Sequence, residues 1–215
     1  MALSRQARIL SPKQIELALH FLSCSRHAAR NQLIFLLSAK AGLRAKEIAS
    51  LQWEMVCTPE GEVSDQILLY DKASKGKSGR CIPMHGEVRS LLVLLRDHKY
   101  GFIPTDYIIE TERAKRTSAQ AIVNMFWGWY GMLNLNGCSS HSGRRTFITN
   151  AARKISTVGG SVRDVQMLAG HANMRTTQGY IEAEPQAQIK VVALLCKRRS
   201  NNPSLKRPDN LVAPE

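Results

Sequence analysis

Acidic residues are in short supply in this chain. Seventeen Asp and Glu stand against thirty Lys and Arg, a formal net charge of +13 over 215 residues. A surface so biased is attracted to polyanions, either nucleic acid or a membrane surface. Cysteine is scarce and scattered: Cys24, Cys57, Cys81, Cys138 and Cys196 form no Cys-x-x-Cys pair. An odd, dispersed set argues against a disulfide framework and a zinc site and fits a reducing compartment. Long apolar runs are missing too. Leu33 to Leu37 and Leu91 to Leu95 are too short to span a bilayer, and the start, MALSRQARILSPKQ, lacks the apolar core of a signal peptide. No membrane role is expected and the cytosol is the default. The sequence also has no P-loop, no clustered carboxylates that would demand a metal, and no internal repeat.

What the chain does have is helical periodicity. Ser11-Pro12 reads as N-cap and first helical residue, ahead of a stripe of Ile15, Leu19 and Leu22. A second helix is expected from about Arg26 to Ala41, with Leu33, Ile34, Leu37 and Ala41 inward and Gly42 as its stop. A third, from about Arg44 to Leu51, places Arg44 and Glu47 three apart on one face, where they could pair. Ile67 to Tyr70 and Arg80 to Pro83 are strand-like and flank the turn-rich Asp71 to Gly79, which predicts an antiparallel hairpin with lysines at its tip. Helices then follow at about Glu87 to His98, Ser118 to Leu133, His141 to Lys154, Val162 to Leu168 and Asn173 to Ile181. In the second of these, Ile122, Val123, Phe126, Trp127 and Tyr130 are expected on the buried side. Between the first two lies the basic stretch Glu112 to Arg116, whose cations could follow a phosphate backbone or simply be solvated. An amphipathic piece, Gln186 to Cys196, precedes a tail at 200–215 whose composition predicts disorder. The expected class is α+β, mostly helical, with one small antiparallel sheet.

The chemistry-bearing residues are His141-Ser-Gly-Arg144, Leu168-Ala-Gly-His171 and Tyr180: two imidazoles, a guanidinium and a phenol within forty residues. A lone His-x-x-Arg means little, since His27-Ala-Ala-Arg30 has the same spacing. What separates His141 and Arg144 is their company, including the upstream Gly42-Leu-Arg44-x-x-Glu47. A phosphodiester is anionic and repels a nucleophile, so permanently charged planar guanidiniums suit the charge that builds on its nonbridging oxygens.

In order and spacing, Ala41-Gly-Leu-Arg44-Ala-Lys-Glu47, Lys75-Gly-Lys-Ser-Gly-Arg80-Cys-Ile-Pro83, His141-x-x-Arg144, Leu168-Ala-Gly-His171 and Thr176-Thr-Gln-Gly-Tyr180 resemble the catalytic domain of the tyrosine recombinases, the phage integrase family. The resemblance covers about residues 11 to 183. It implies the fold of DNA breaking-rejoining enzymes over 1–183, followed by a C-terminal helix or tail at 184–199. It implies six catalytic residues: Arg44, Lys75, His141, Arg144, His171 and Tyr180. Lys75 is preferred to Lys72 and Lys77 because it lies eight residues before Pro83, as in the family; local spacing does not choose among them. Gly143 stands where the family usually has Leu, and Ala169 interrupts the usual Leu-Gly-His. Family members generally carry an N-terminal helical domain that closes round DNA, whereas here the resemblance begins almost at Met1.

By that resemblance the protein is a site-specific recombinase, cytoplasmic and nucleoid-associated. It would cleave and rejoin duplex DNA through a 3′-phosphotyrosyl intermediate, with Tyr180 as nucleophile, and need neither metal nor ATP. Its partners would be double-stranded DNA, three further copies in a tetramer held by the C-terminal tail, and an accessory DNA-binding chain. Two alternatives share the scaffold: DNA relaxation of the type IB topoisomerase kind, and noncatalytic DNA binding.

Overall fold

A helix buried on every side organises the molecule. In the computed structural model, which describes residues 7–70, 79–99, 101–112, 114–180 and 192, α2 (Ala28–Ala41) has Leu33 through Ala39 and Ala41 buried. The expected stripe of Leu33, Ile34, Leu37 and Ala41 is inside, but so are Phe35, Leu36 and Ser38. A helix without a polar face needs cover all round. It receives that cover from α1 (Pro12–Ser23), α4 (Gly86–Asp97) and α6 (Ser142–Lys154), with α3 (Ala45–Ala49) following it directly. The start of α1 is fixed by a reciprocal cap. Ser11 Oγ accepts from the Gln14 amide and Gln14 Oε1 accepts from the Ser11 amide, with Pro12 as first helical residue. Gly42, at φ 68°, turns the chain out of α2 in the left-handed region, and the Phe147 ring of α6 lies where a side chain at 42 would have to go.

The expected hairpin is present as β1 (Gln66–Leu69) and β2 (Arg80–Pro83), antiparallel, in the register Ile67 to Ile82 and Leu69 to Arg80. Ile67, Leu69 and Ile82 point into the core. The lysines between the strands, Lys72, Lys75 and Lys77, lie outside the described residues, as do the 186–196 segment apart from Val192 and the 200–215 tail. Cys24, Cys57, Cys81 and Cys138 are free thiols.

Three expectations change. On α5 (Ala119–Met132) the inward line is Ile122, Phe126 and Tyr130 at i, i+4 and i+8, while Trp127 is 79% exposed and Val123 only partly covered. One residue on from Phe126 is about 100° round the helix, which carries Trp127 away from the core. Second, α2 begins at Ala28, with His27 as its N-cap. Third, after α7 (Val162–Ala169), the helix α8 (Met174–Gln178) stops short of Tyr180, which sits in the turn that follows. That turn is held by a small separate core of Ile148, Val165 and Ala169, against which Phe147, Ala151, Ile155 and Tyr180 pack. Among the described residues no helix is long and apolar enough to cross a membrane.

Candidate active site

A carboxylate in the interior sets the frame. Glu47, on α3, has a side chain only 1% exposed. One oxygen accepts from Arg44 Nη1 at 2.9 Å and the other from the Arg44 amide at 2.8 Å, so the acid both holds the guanidinium and caps its own helix. Arg80 of β2 meets the same carboxylate with both terminal nitrogens, at 3.0 and 3.1 Å. Its Nε donates to the Leu168 carbonyl near the end of α7 at 3.0 Å. Burial alone would raise the Glu47 pKa. Hydrogen bonds and charge from Arg80, with Arg44 behind them, outweigh it and hold the acid below its ordinary value. Arg80 passes so close to Gly170 that a Cβ there would lie 2.6 Å from Arg80 Nη1, and Gly170 is itself left-handed at φ 61°. Both facts demand glycine at the turn that leads into His171.

Arg144, on the first turn of α6, is 4% exposed. Two of its five N–H groups are committed to carbonyls, one to Gly42 just ahead of Arg44 and one to Ala169 at 2.7 Å just ahead of His171. This buried arginine therefore ties three chain segments together. Burial, then the charges of Arg44 and Arg80, push its pKa down to about 10, still fully protonated at neutral pH. His171 Nδ1 lies 3.0 Å from Thr177 Oγ1, and its ring stacks on Tyr180 with centroids 5.6 Å apart and planes at 25°. Its pKa is pushed down to about 4, first by burial and then by Arg144, Arg44 and Arg80. His141 is the N-cap of α6 rather than a member of it. Its pKa is lowered by loss of water around the ring and by Arg144 and Arg44. His141, Arg144 and Tyr180 line one cleft of about 450 Å³, together with Ser139, Arg145, Arg175 and Thr176.

Five of the six expected residues are thus gathered in one region, and Lys75 lies outside the described residues. The look-alike pair near the start is placed quite differently. His27 approaches Glu112 at 3.4 Å, and Arg30 donates to Asn31 Oδ1 and the Glu110 carbonyl. The basic stretch is also tied to its surroundings, since its own acid Glu112 takes Arg26 at 2.6 Å and Arg116 lies over the Tyr107 ring. Arg80 was the residue that motif reading passed over. Its signal was available: it precedes the inward Ile82 by two on a strand, so it shares the inward face, where a cation requires a buried partner.

A model of the phage integrase family matches residues 8–187. The chain belongs to the phage integrase family. Among its relatives, the tyrosine recombinase XerC of Proteus mirabilis is 31% identical over 153 residues, covering 70% of this chain and 47% of that protein. The tyrosine recombinase XerA of Thermococcus kodakarensis is 27% identical over 157 residues, covering 70% and 50%. This integrase-family chain spans about half the length of these relatives. The crystal structure of XerA recombinase has the same fold, with a TM-score of 0.66 at 23% identity over 89% of this chain and 65% of that one. XerH site-specific recombinase bound to difH substrate gives a TM-score of 0.67 at 18% identity, over 91% and 56%. The fold is therefore that of tyrosine recombinase catalytic domains, as the motifs implied.

Two departures from the usual integrase pattern acquire physical reasons. At Gly143 a Cβ would lie 2.6 Å from Ser38 Oγ, 3.0 Å from Ser38 Cβ and 3.2 Å from the Ala39 amide nitrogen. In this member of the family α6 approaches the backbone of α2 too closely for a leucine. Ala169 is fully buried in the small core, and its carbonyl receives Arg144, a role its backbone fills whatever its side chain.

Proposed function

We propose that this chain is the catalytic domain of a site-specific DNA recombinase and that Arg44, Lys75, His141, Arg144, His171 and Tyr180 carry the reaction. The observation that carries the reading is the stack of Tyr180 on an imidazole held neutral beside a buried guanidinium cluster. Arg44, Arg80 and Arg144 face the single carboxylate of Glu47, three positive charges against one negative, an excess of two that suits an anion. In the proposed step a backbone phosphate takes that place, with its nonbridging oxygens on Arg44 and Arg144. The Tyr180 oxygen attacks phosphorus and its proton passes to His141, which is neutral at pH 7 because its pKa is lowered. The bond to the 5′ oxygen breaks and Lys75 protonates that oxygen, leaving an aryl phosphate between Tyr180 and the 3′ end. His171 serves as a neutral donor from Nε2, the tautomer in which its Nδ1, 3.0 Å from Thr177 Oγ1, accepts from that hydroxyl. Attack by the 5′ hydroxyl on the aryl phosphate reverses the step and reseals the strand without ATP.

In this reading the substrate is duplex DNA at the nucleoid, and assembly into a tetramer uses the 186–196 segment. An accessory chain that grips the DNA is part of the same proposal. The experiment is to incubate the protein with supercoiled plasmid and with DNA flanking its own gene, then map covalent adducts to single nucleotides. Tyr180→Phe should abolish the adduct and leave DNA binding intact. An adduct that persists in Tyr180→Phe places the nucleophile elsewhere and overturns the assignment.

A further inference from the structure

The cleft beside Tyr180 holds more positive charge than one phosphate can use. Beyond Arg144 it is lined by Arg145 and Arg175, with the hydroxyls of Ser139 and Thr176, and among the described residues no carboxylate lines it. Several cations elsewhere take an acid, Arg44 and Arg80 with Glu47 and Lys99 with Asp106 and Glu110, while the half-buried Arg30 and Arg96 take backbone carbonyls. Among the described residues Arg145 and Arg175 take no acidic partner. Arg145 carries a second anomaly. Its Nε is buried yet makes no hydrogen bond, while its guanidinium carbon lies 6.0 Å from the centre of the Tyr180 ring. A buried donor of a charged group without an acceptor is costly and is tolerated where a ligand supplies the acceptor. Arg144 cannot widen its own reach, because it is tied to the Gly42 and Ala169 carbonyls at the floor of the site. The two additional arginines stand on the wall instead: Arg145 is half-buried on α6 and Arg175 exposed on α8.

We propose that Arg145 and Arg175 form a second anion subsite that takes the backbone phosphate adjacent to the one Tyr180 attacks. The inference rests on the recombinase reading and deepens it. Phosphates recur along a strand at a fixed short interval, so a strand seated on Arg44 and Arg144 brings its next phosphate along the cleft wall. A guanidinium there donates to two phosphate oxygens from its planar fork. Held by that phosphate on one side and lying over the phenol ring on the other, Arg145 would also fix Tyr180 for attack.

Two measurements on the full chain test this. The first is the salt dependence of binding to a short mixed-sequence duplex between about 50 and 200 mM salt, which needs no knowledge of the target site. Each lost phosphate contact lowers the slope of log affinity against log salt by about 0.9. Arg145→Gln and Arg175→Gln should each lose about that much, their combination about twice it, and Arg145→Lys should recover most of its share by restoring the charge. Because Arg175 is exposed, its variant keeps the fold. The second uses DNA on which the adduct has been mapped, with single flanking phosphates replaced by neutral methylphosphonates. One flanking position should slow cleavage by the parent about 10-fold or more and have no further effect in Arg145→Gln. An unchanged slope in the double variant overturns the subsite, as does a parent insensitive at both flanking positions. A reduced slope without any adduct would keep the subsite as a polyanion site and defeat the recombinase reading alone. Adduct formation with an unchanged slope would do the reverse.

Discussion

Replacing Arg80 by methionine removes half of the ion pair that joins α3 to β2, and the structure sets the size of the effect. The Arg80 and Glu47 side chains are 6% and 1% exposed, so water cannot replace the lost partner. Breaking such a pair on one side typically costs about 3–5 kcal/mol. Arg44 still holds one Glu47 oxygen, which favours the lower end of that range, while the lost bond from Nε to the Leu168 carbonyl adds about 1 kcal/mol. A loss of about 4 kcal/mol corresponds to a fall in Tm of about 8–16 °C for a chain of this size. Thermal melts by circular dichroism would measure it. The companion variant Arg80→Met with Glu47→Leu removes the stranded acid and should recover most of that stability. It would still lose the acid that anchors Arg44, so adduct formation should remain at least about 10-fold down even though the protein is stable. The pH response adds a check. Because the native Glu47 pKa is lowered, the unfolded chain binds more protons than the native one as pH falls below about 4.3. The pair's stability is therefore complete above that pH and is lost as pH drops through the native value, a loss Arg80→Met should blunt. A melt of Arg80→Met within about 2 °C of the parent would refute the whole argument.

Other outcomes follow from the same geometry. Gly143→Ala gains about 1 kcal/mol of helix propensity but drives a methyl onto Ser38 and the Ala39 amide, so a net loss of about 1–2 kcal/mol is expected in urea unfolding; a stabilised variant would contradict the close approach of α6 to α2. His171, with its native pKa near 4 against about 6.5 unfolded, makes stability fall as pH drops through that interval, because only the unfolded chain takes up the proton. His171→Gln should reduce the dependence of Tm over that range, leaving the contribution of His141, whose pKa is lowered too. Thr177→Val deletes the hydroxyl beside His171 Nδ1, and single-turnover cleavage should slow about 10-fold. Unchanged cleavage in that variant would show that the contact does not orient the ring. Gly170→Ala meets both a left-handed backbone and the Arg80 guanidinium, and it should lower Tm together with adduct yield.

Much of this was readable along the chain because the signals were local. Ser11-Pro12 and Gly42 mark ends of helices through their own backbone chemistry, and the hairpin follows from two short β-prone runs around a turn-rich stretch. The Arg44 and Glu47 pair needs only the three-residue spacing from a helix cap to the first turn, although Arg44 stands at the cap rather than in α3. Which face of a helix points inward is not a local property. Trp127 is apolar and sits among core residues in the sequence, but the face of α5 that packs is chosen by what lies against Phe126 and Tyr130. Tyr180 was expected on a helix and stands in the turn after one, since α8 ends at Gln178 and Tyr180 is held instead by the small core and by His171.

The order and spacing of the motifs alone determined the family, the mostly helical class with its hairpin, and the residue types fit for a phosphodiester. They could not determine that Arg80 shares Glu47 with Arg44, that Arg144 is pinned by carbonyls from two distant turns, or that Arg145 and Arg175 line the cleft beside Tyr180 with no acidic partner among the described residues. Those facts depend on which surfaces meet when α2 is covered on all sides. Spacing along a chain fixes neighbours within one element, and only packing decides neighbours between elements.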